Sequence, residues 1–290
     1  MATRSSTVAG LAAVAATLAS AAPMLAEPVE FVPHRAVYEI TLDRTAAGAG
    51  VSDMTGRMVY ELTGSRCEGW TQNMRFVTRM VNQDGGAQLN DLVTSSWEEA
   101  DGKRLRFNQS QSRDNQPEEI SQGDAKRSGD GNRTVVEMVK PARKEMKLTG
   151  DIAFPIQHSM ALVAAARSGR TSMTADLFDG SEKGEKFYQT TAVIGRKIVP
   201  GAVKSPAALE DGPARKLAGV ASWPMSISYF EPGTSKTDAV PSYELAFHFY
   251  ENGVSTKLHI DYGDFAINGA LTALDYLEPT KCEGDGAGGK

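Results

Sequence analysis

Residues 176–195 read DLFDGSEKGEKFYQTTAVIG and gather Asp176, Asp179, Glu182 and Glu185 around Gly180, Ser181 and Gly184. Carboxylates and glycines at this density are the material of a calcium or phosphate loop. A calcium loop alternates acidic and amide ligands about a glycine and closes on a distal glutamate. Asp176 and Asp179 stand three apart, which breaks that alternation. A phosphate loop ends in Gly-Lys-Ser/Thr and opens a helix. Gly184-Glu185-Lys186 does not supply it, and β-prone residues follow. The stretch therefore reads as strand, turn, strand, with Gly180 and Gly184 providing positive φ at low steric cost.

The remaining chemistry-bearing residues do not converge. The four histidines are His34, His158, His248 and His259. His248 and His259 flank Asn252-Gly253 at unequal offsets, so a hairpin turning there need not oppose them. His158 suits a packed position near a helix start, with general-base work as the alternative. The chain contains no Gly-x-Ser-x-Gly elbow and no His-Glu-x-x-His helix. Glu98-Glu99 and Glu118-Glu119 adjoin expected turns and read as solvated surface. Nothing assembles into a nucleophile, base and orienter. The expectation is a binding protein and not an enzyme, with no catalytic residue, no metal and no cofactor.

The compartment is written at the N-terminus. Arg4 is the only charge before Glu27, and a run of Ala, Val, Leu, Ser and Thr lies between them. A basic start, an apolar centre and small residues near a cut site describe a secretory signal peptide. It is expected to span residues 1–26 and to direct the chain to the periplasm. The net charge of −5 argues against nucleic-acid binding, which needs a basic face. Cys67 and Cys282 are the only cysteines, too few for a structural zinc site. In an exported chain the even count points to one disulfide between them.

The elements that must position these residues are mostly strands. RAVYEITL puts Ala36, Tyr38, Ile40 and Leu42 on one face; GRMVYELTG does the same with Met58, Tyr60 and Leu62. GWTQNMRFVTRM offers Trp70, Met74, Phe76 and Met80. Asp101-Gly102 and Asn252-Gly253 are hairpin turns of the favoured kind. Such spacing predicts an all-β fold, a curled and broken barrel of two sheet halves, within one domain over residues 27–290. One helix interrupts it near residues 155–168, with Pro155 in its first turn and Gly169 just past its end. Residues 109–132 and 200–213 read as polar or proline-rich loops, and the tail beyond residue 283 as disordered. Tyr38, Met58, Tyr60, Met74, Phe76, Phe247 and Phe249 are the expected lining of an apolar groove, with an ordinary close-packed core as the alternative.

Several stretches together carry a family resemblance. FPIQHSMALVAAARSG, LFDGSEKGEKFYQTTAVIG, WPMSISYF and YELAFHFYENGVSTKLHIDYGDFAI, with the two distant cysteines, resemble the EipB family of alphaproteobacterial cell-envelope-integrity proteins. The likeness runs from about His34 to Cys282, and Phe178–Ser181 and Tyr250–Val254 are its most specific pieces. The resemblance implies an exported periplasmic protein with a spiral-like barrel, an internal disulfide and an outline similar to periplasmic lipoprotein carriers. It implies a non-enzymatic role in envelope integrity and stress resistance, exercised with a periplasmic tetratricopeptide-repeat partner. It supplies no catalytic residues and no agreed ligand. The functional expectation is an envelope-integrity factor that binds a protein or lipid-like partner. The alternative is a carrier of lipid or lipoprotein acyl chains.

Overall fold

Period-two alternation carries most of the chain into one sheet. The computed structural model describes residues 28–201, 212–233 and 239–282. The expected signal peptide, most of the 200–213 loop and the tail beyond residue 283 lie outside the described residues. Strands β1 (His34–Thr45), β2 (Val51–Ser65), β3 (Gly69–Asn82), β4 (Ala87–Glu98), β5 (Arg104–Arg113), β6 (Gln116–Arg127), β7 (Arg133–Lys140) and β8 (Lys144–Thr149) follow one another as antiparallel neighbours. After β9 (Ile152–Ala153) comes helix α1 (Pro155–Arg167). Then β10 (Ser172–Leu177), β11 (Tyr188–Ile194), a short helix α2 (Pro213–Leu217), β12 (Ser222–Phe230), β13 (Tyr243–Tyr250), β14 (Ser255–Asp261) and β15 (Phe265–Tyr276) return towards the start.

β15 pairs with β1 from His34↔Tyr276 to Thr45↔Phe265, with two bulges. That junction joins the two expected sheet halves into one fifteen-stranded sheet. Among the described strands only the β9–β10 pair is parallel. The sheet ends at β8 and β9, which do not pair although Gly150 and Asp151 alone separate them in sequence. The two ends overlap instead. Leu105, Phe107, Ala125, Val136 and Met138 of β5–β7 pack on Ile152, Phe154 and Phe178 from the opposite end of the sheet. The result is the expected broken barrel, rolled as a spiral with a seam.

The main helix falls where expected. Pro155 occupies its first turn, and Gly169, at φ 77°, follows its end with Gly169 N–H donating to Ala166 O. Ile156, Leu162 and Val163 join a core with Tyr38, Trp223, Met225 and Ile227, so α1 fills the concave side. Burying each of these aliphatic side chains stabilises by about 2 kcal/mol.

Two sequence readings are corrected. Residues 109–132 are not a loop; they supply the second half of β5 and all of β6, separated by a turn at Asp114 and Asn115. Polar side chains do not prevent a backbone ladder, and the inward positions Gln109, Gln111 and Ser121 alternate as a strand requires. Glu98 is not solvated surface; it is 1% exposed. The turn expected beside it is present, because Asp101-Gly102 turns β4 into β5. Glu98 itself points inward to the start of α1.

Candidate functional site

Burial along the inner face of β2–β5 falls away from the α1 end. There, the inward residues Leu62, Trp70, Glu98 and Leu105 are at most 2% exposed. In the middle of the same strands the inward positions are mostly half-buried, until Met54 and Thr78 are buried again further along. Cross-strand register places Met58, Phe76, Leu92 and Gln111 in one row. Tyr60, Met74, Thr94 and Gln109 form the next, and Leu62, Gln72, Ser96 and Phe107 the third. Directly opposed residues share a face, so these rows make one continuous concave wall.

The seven residues expected to line a groove divide into two sets. Met58, Tyr60, Met74 and Phe76 stand together on the half-buried wall, where Met58, Tyr60 and Phe76 also pack against the edge of the core. Tyr38, Phe247 and Phe249 lie in the close-packed core, at 2%, 7% and 4% exposure. The Tyr38 hydroxyl donates to Ser255 O at 2.8 Å, and Phe249 meets Phe31 and Phe247 edge to face. Sequence reading did not single out Leu92, Gln72, Thr94, Ser96 or Gln109. A period of two carried through the polar stretches would have found them.

Helix α1 closes one end of this wall, and Glu98 holds its start. Phe154 offers no side-chain cap. The Glu98 carboxylate replaces it, accepting from Ile156 N–H at 2.8 Å and Gln157 N–H at 2.9 Å. Gln157 also donates to Ala100 O. Burial pushes the Glu98 carboxyl up to about 7, against the two backbone N–H groups and Arg127. His158 is packed, with Nε2 bonded to Thr190 Oγ1 at 3.1 Å, and burial pushes it down to about 4. Burial also lowers His34 and raises Tyr60, Tyr229 and Tyr243. Desolvation thus drives the interior toward its neutral forms.

The acidic stretch 176–195 is the turn that the sequence suggests, between β10 and β11. Gly180 and Gly184 have φ of 80° and 66°. It is also a contact across the seam. Ser121 Oγ donates to Gly180 O at 2.7 Å, Lys183 N–H to Glu119 at 3.0 Å, and Lys144 Nζ to Glu185 at 3.0 Å. A β-carbon on Gly180 would stand 2.2 Å from the Phe107 ring. Burial raises the Asp179 carboxyl, whose oxygen accepts from Ser181 N–H. Glu118 is exposed and pairs with Arg113, whereas Glu119 is drawn into the seam.

Cys67 and Cys282 form a disulfide, with Cα atoms 5.8 Å apart. The segment after β15 crosses the start of β1, where Leu277 N–H donates to Pro33 O, and is fixed to the β2–β3 turn. The bond therefore spans the junction of the two halves. His248 and His259 are not opposed: His259 faces Ala246 and His248 faces Thr256. His259 pairs with Asp43 instead. Among the described residues no group of three His, Cys, Asp or Glu is placed to hold a metal ion.

Comparison with known proteins places this geometry in a family. A family model described as EipB-like matches residues 25–278. The cell envelope integrity protein EipB of Brucella abortus (strain 2308) is 38% identical over 257 residues, covering 88% of each chain. A crystal structure of a beta-barrel-like protein of domain of unknown function DUF1849 from Brucella abortus superposes with a TM-score of 0.77. It is 37% identical and covers 86% of this chain and 100% of its own.

Proposed function

The chain belongs to the EipB-like family, and from that membership we propose that it is an exported cell-envelope-integrity factor that binds a protein or lipid-like partner on its inner wall. The observation that supports this reading is the half-buried wall of Met58, Tyr60, Met74, Phe76 and Leu92 inside a sheet whose ends are otherwise packed. Apolar surface left in water forgoes about 25 cal/mol per Å² that a bound partner would recover. The role is carried out in the periplasm, non-enzymatically, with a periplasmic tetratricopeptide-repeat protein as partner.

The test is rescue of a strain lacking the chain. Wild type restores growth on detergent, while Met74→Asp, folded and exported at the wild-type level, restores little. Full rescue by Met74→Asp removes the wall from the function. Retention of the tetratricopeptide-repeat protein on purified chain after crosslinking in the periplasm supports the partner, and its absence from the crosslinked material counts against it.

A second reading, a carrier of lipid or lipoprotein acyl chains, is favoured by Met58 and Met74. Their unbranched thioethers adapt to chains of varied shape. Native mass spectrometry of protein taken from its own periplasm decides it: co-purifying acyl lipid supports a carrier, and an empty chain that takes up no lipid opposes one.

A further inference from the structure

From Met58 to Gln111, every half-buried inward position of β2–β5 is uncharged. Beyond this region Arg113 pairs with Glu118, Arg127 with Asp151 and Lys144 with Glu185. Glu119 stands directly opposite Gln111 at the edge of the wall, its carboxylate accepting from Lys183 N–H, and Glu98, beyond Ser96 on β4, is driven toward its neutral form by burial. The wall is not wholly apolar, however. Gln72 opposes Ser96 and Thr94 opposes Gln109, and the side chains of these four make no hydrogen bond among the described residues. They adjoin the apolar side chains of Met74, Phe76 and Leu92 through the same register.

Unused amide and hydroxyl groups both donate and accept. They complement hydroxyls and ester carbonyls. An anionic head group would be desolvated here with no cation to meet it, which is strongly unfavourable. We propose that the inner wall of β2–β5 binds a neutral acylglycerol and discriminates against the fatty-acid anion. The acyl chain lies along Met74, Phe76 and Leu92, and the glyceryl ester and hydroxyls lie on Gln72, Thr94, Ser96 and Gln109. This rests on the reading of the wall as a binding surface and names its ligand.

The experiment uses the disulfide-bonded chain and three probes with the same oleoyl chain: monooleoylglycerol, oleate and lysophosphatidylglycerol. Each is added below its critical micelle concentration at pH 8, and bound lipid is measured by equilibrium dialysis. Monooleoylglycerol is expected to bind at least tenfold more tightly than either anion. Met74→Arg puts a cation beside Thr94 and Tyr60 and is expected to shift the ratio at least tenfold toward oleate. Gln109→Lys makes the same change without removing an apolar side chain, should the first variant fail to fold. Oleate or lysophosphatidylglycerol binding as tightly as monooleoylglycerol overturns the selectivity and leaves the wall as a binding surface. Binding of no lipid by folded protein overturns the selectivity and the lipid-like reading of the wall together.

Discussion

Replacing Glu98 by glutamine tests which of two opposed effects governs the buried start of α1. Two backbone N–H groups favour the carboxylate, and desolvation favours the carboxylic acid. Desolvation is the larger, so the folded-state value rises from 4.5 to about 7. A group raised on folding contributes stability that is complete below its unfolded value and lost as pH climbs through its folded one. The interval corresponds to about 3 kcal/mol. Wild type should therefore lose up to that amount between pH 5 and pH 8. Glutamine mimics the neutral acid and should abolish the loss. With a urea slope of about 3 kcal/mol/M, the wild-type midpoint falls by about 1 M across this range, and the Glu98→Gln midpoint does not. His158 contributes in the other direction. Its value is lowered on folding, so its stability is present above 6.5 and lost as pH falls through about 4. The quantity that decides is thus the pH response of wild type minus that of the variant. An equal response in both would exclude Glu98 as the linked group. A wild type that gains stability toward pH 8, relative to the variant, would mean that the helix N–H groups prevail over burial.

Further outcomes follow from the seam and the junction. Cys282→Ser opens a loop closure of 215 residues, worth about 5 kcal/mol on the chain-entropy account, with measured effects often smaller. It should lower the urea midpoint and weaken rescue on detergent; an unchanged midpoint would show that the β1–β15 ladder suffices. Gly180→Ala combines a positive φ with a 2.2 Å approach to Phe107, and should cost about 2–4 kcal/mol in equilibrium unfolding. A melting curve like that of wild type would mean the turn is not packed across the seam. Lys144→Ala removes an exposed ion pair with Glu185 and should change stability by less than about 1 kcal/mol. A larger loss in the same assay would assign that pair a closing role.

Much of the fold was legible because strands and turns write local patterns. Ala36, Tyr38 and Ile40 alternate on one face, Asp101-Gly102 and Asn252-Gly253 turn their hairpins, and Pro155 and Gly169 bracket the helix. The pattern failed where inward positions are polar. Gln109 and Gln111 look like solvent-facing loop residues because a half-open lumen and bulk water select the same side chains, and Ser121 does because its acceptor, Gly180 O, lies 59 residues away across the seam. Glu98 was misread for a related reason, since nothing near it in sequence announces a helix start 58 residues away that needs acceptors.

Residue order alone determined the strand-rich composition, the main helix and the pair of cysteines, because each depends on neighbours in the chain. Tertiary structure decided that β15 returns to β1, that the two sheet ends overlap without pairing, and which stretch of inner face stays open. Those outcomes depend on how far fifteen twisted strands curl before their ends meet, and on where α1 comes to rest inside them. Both are sums over the whole sheet, which no short stretch of sequence contains.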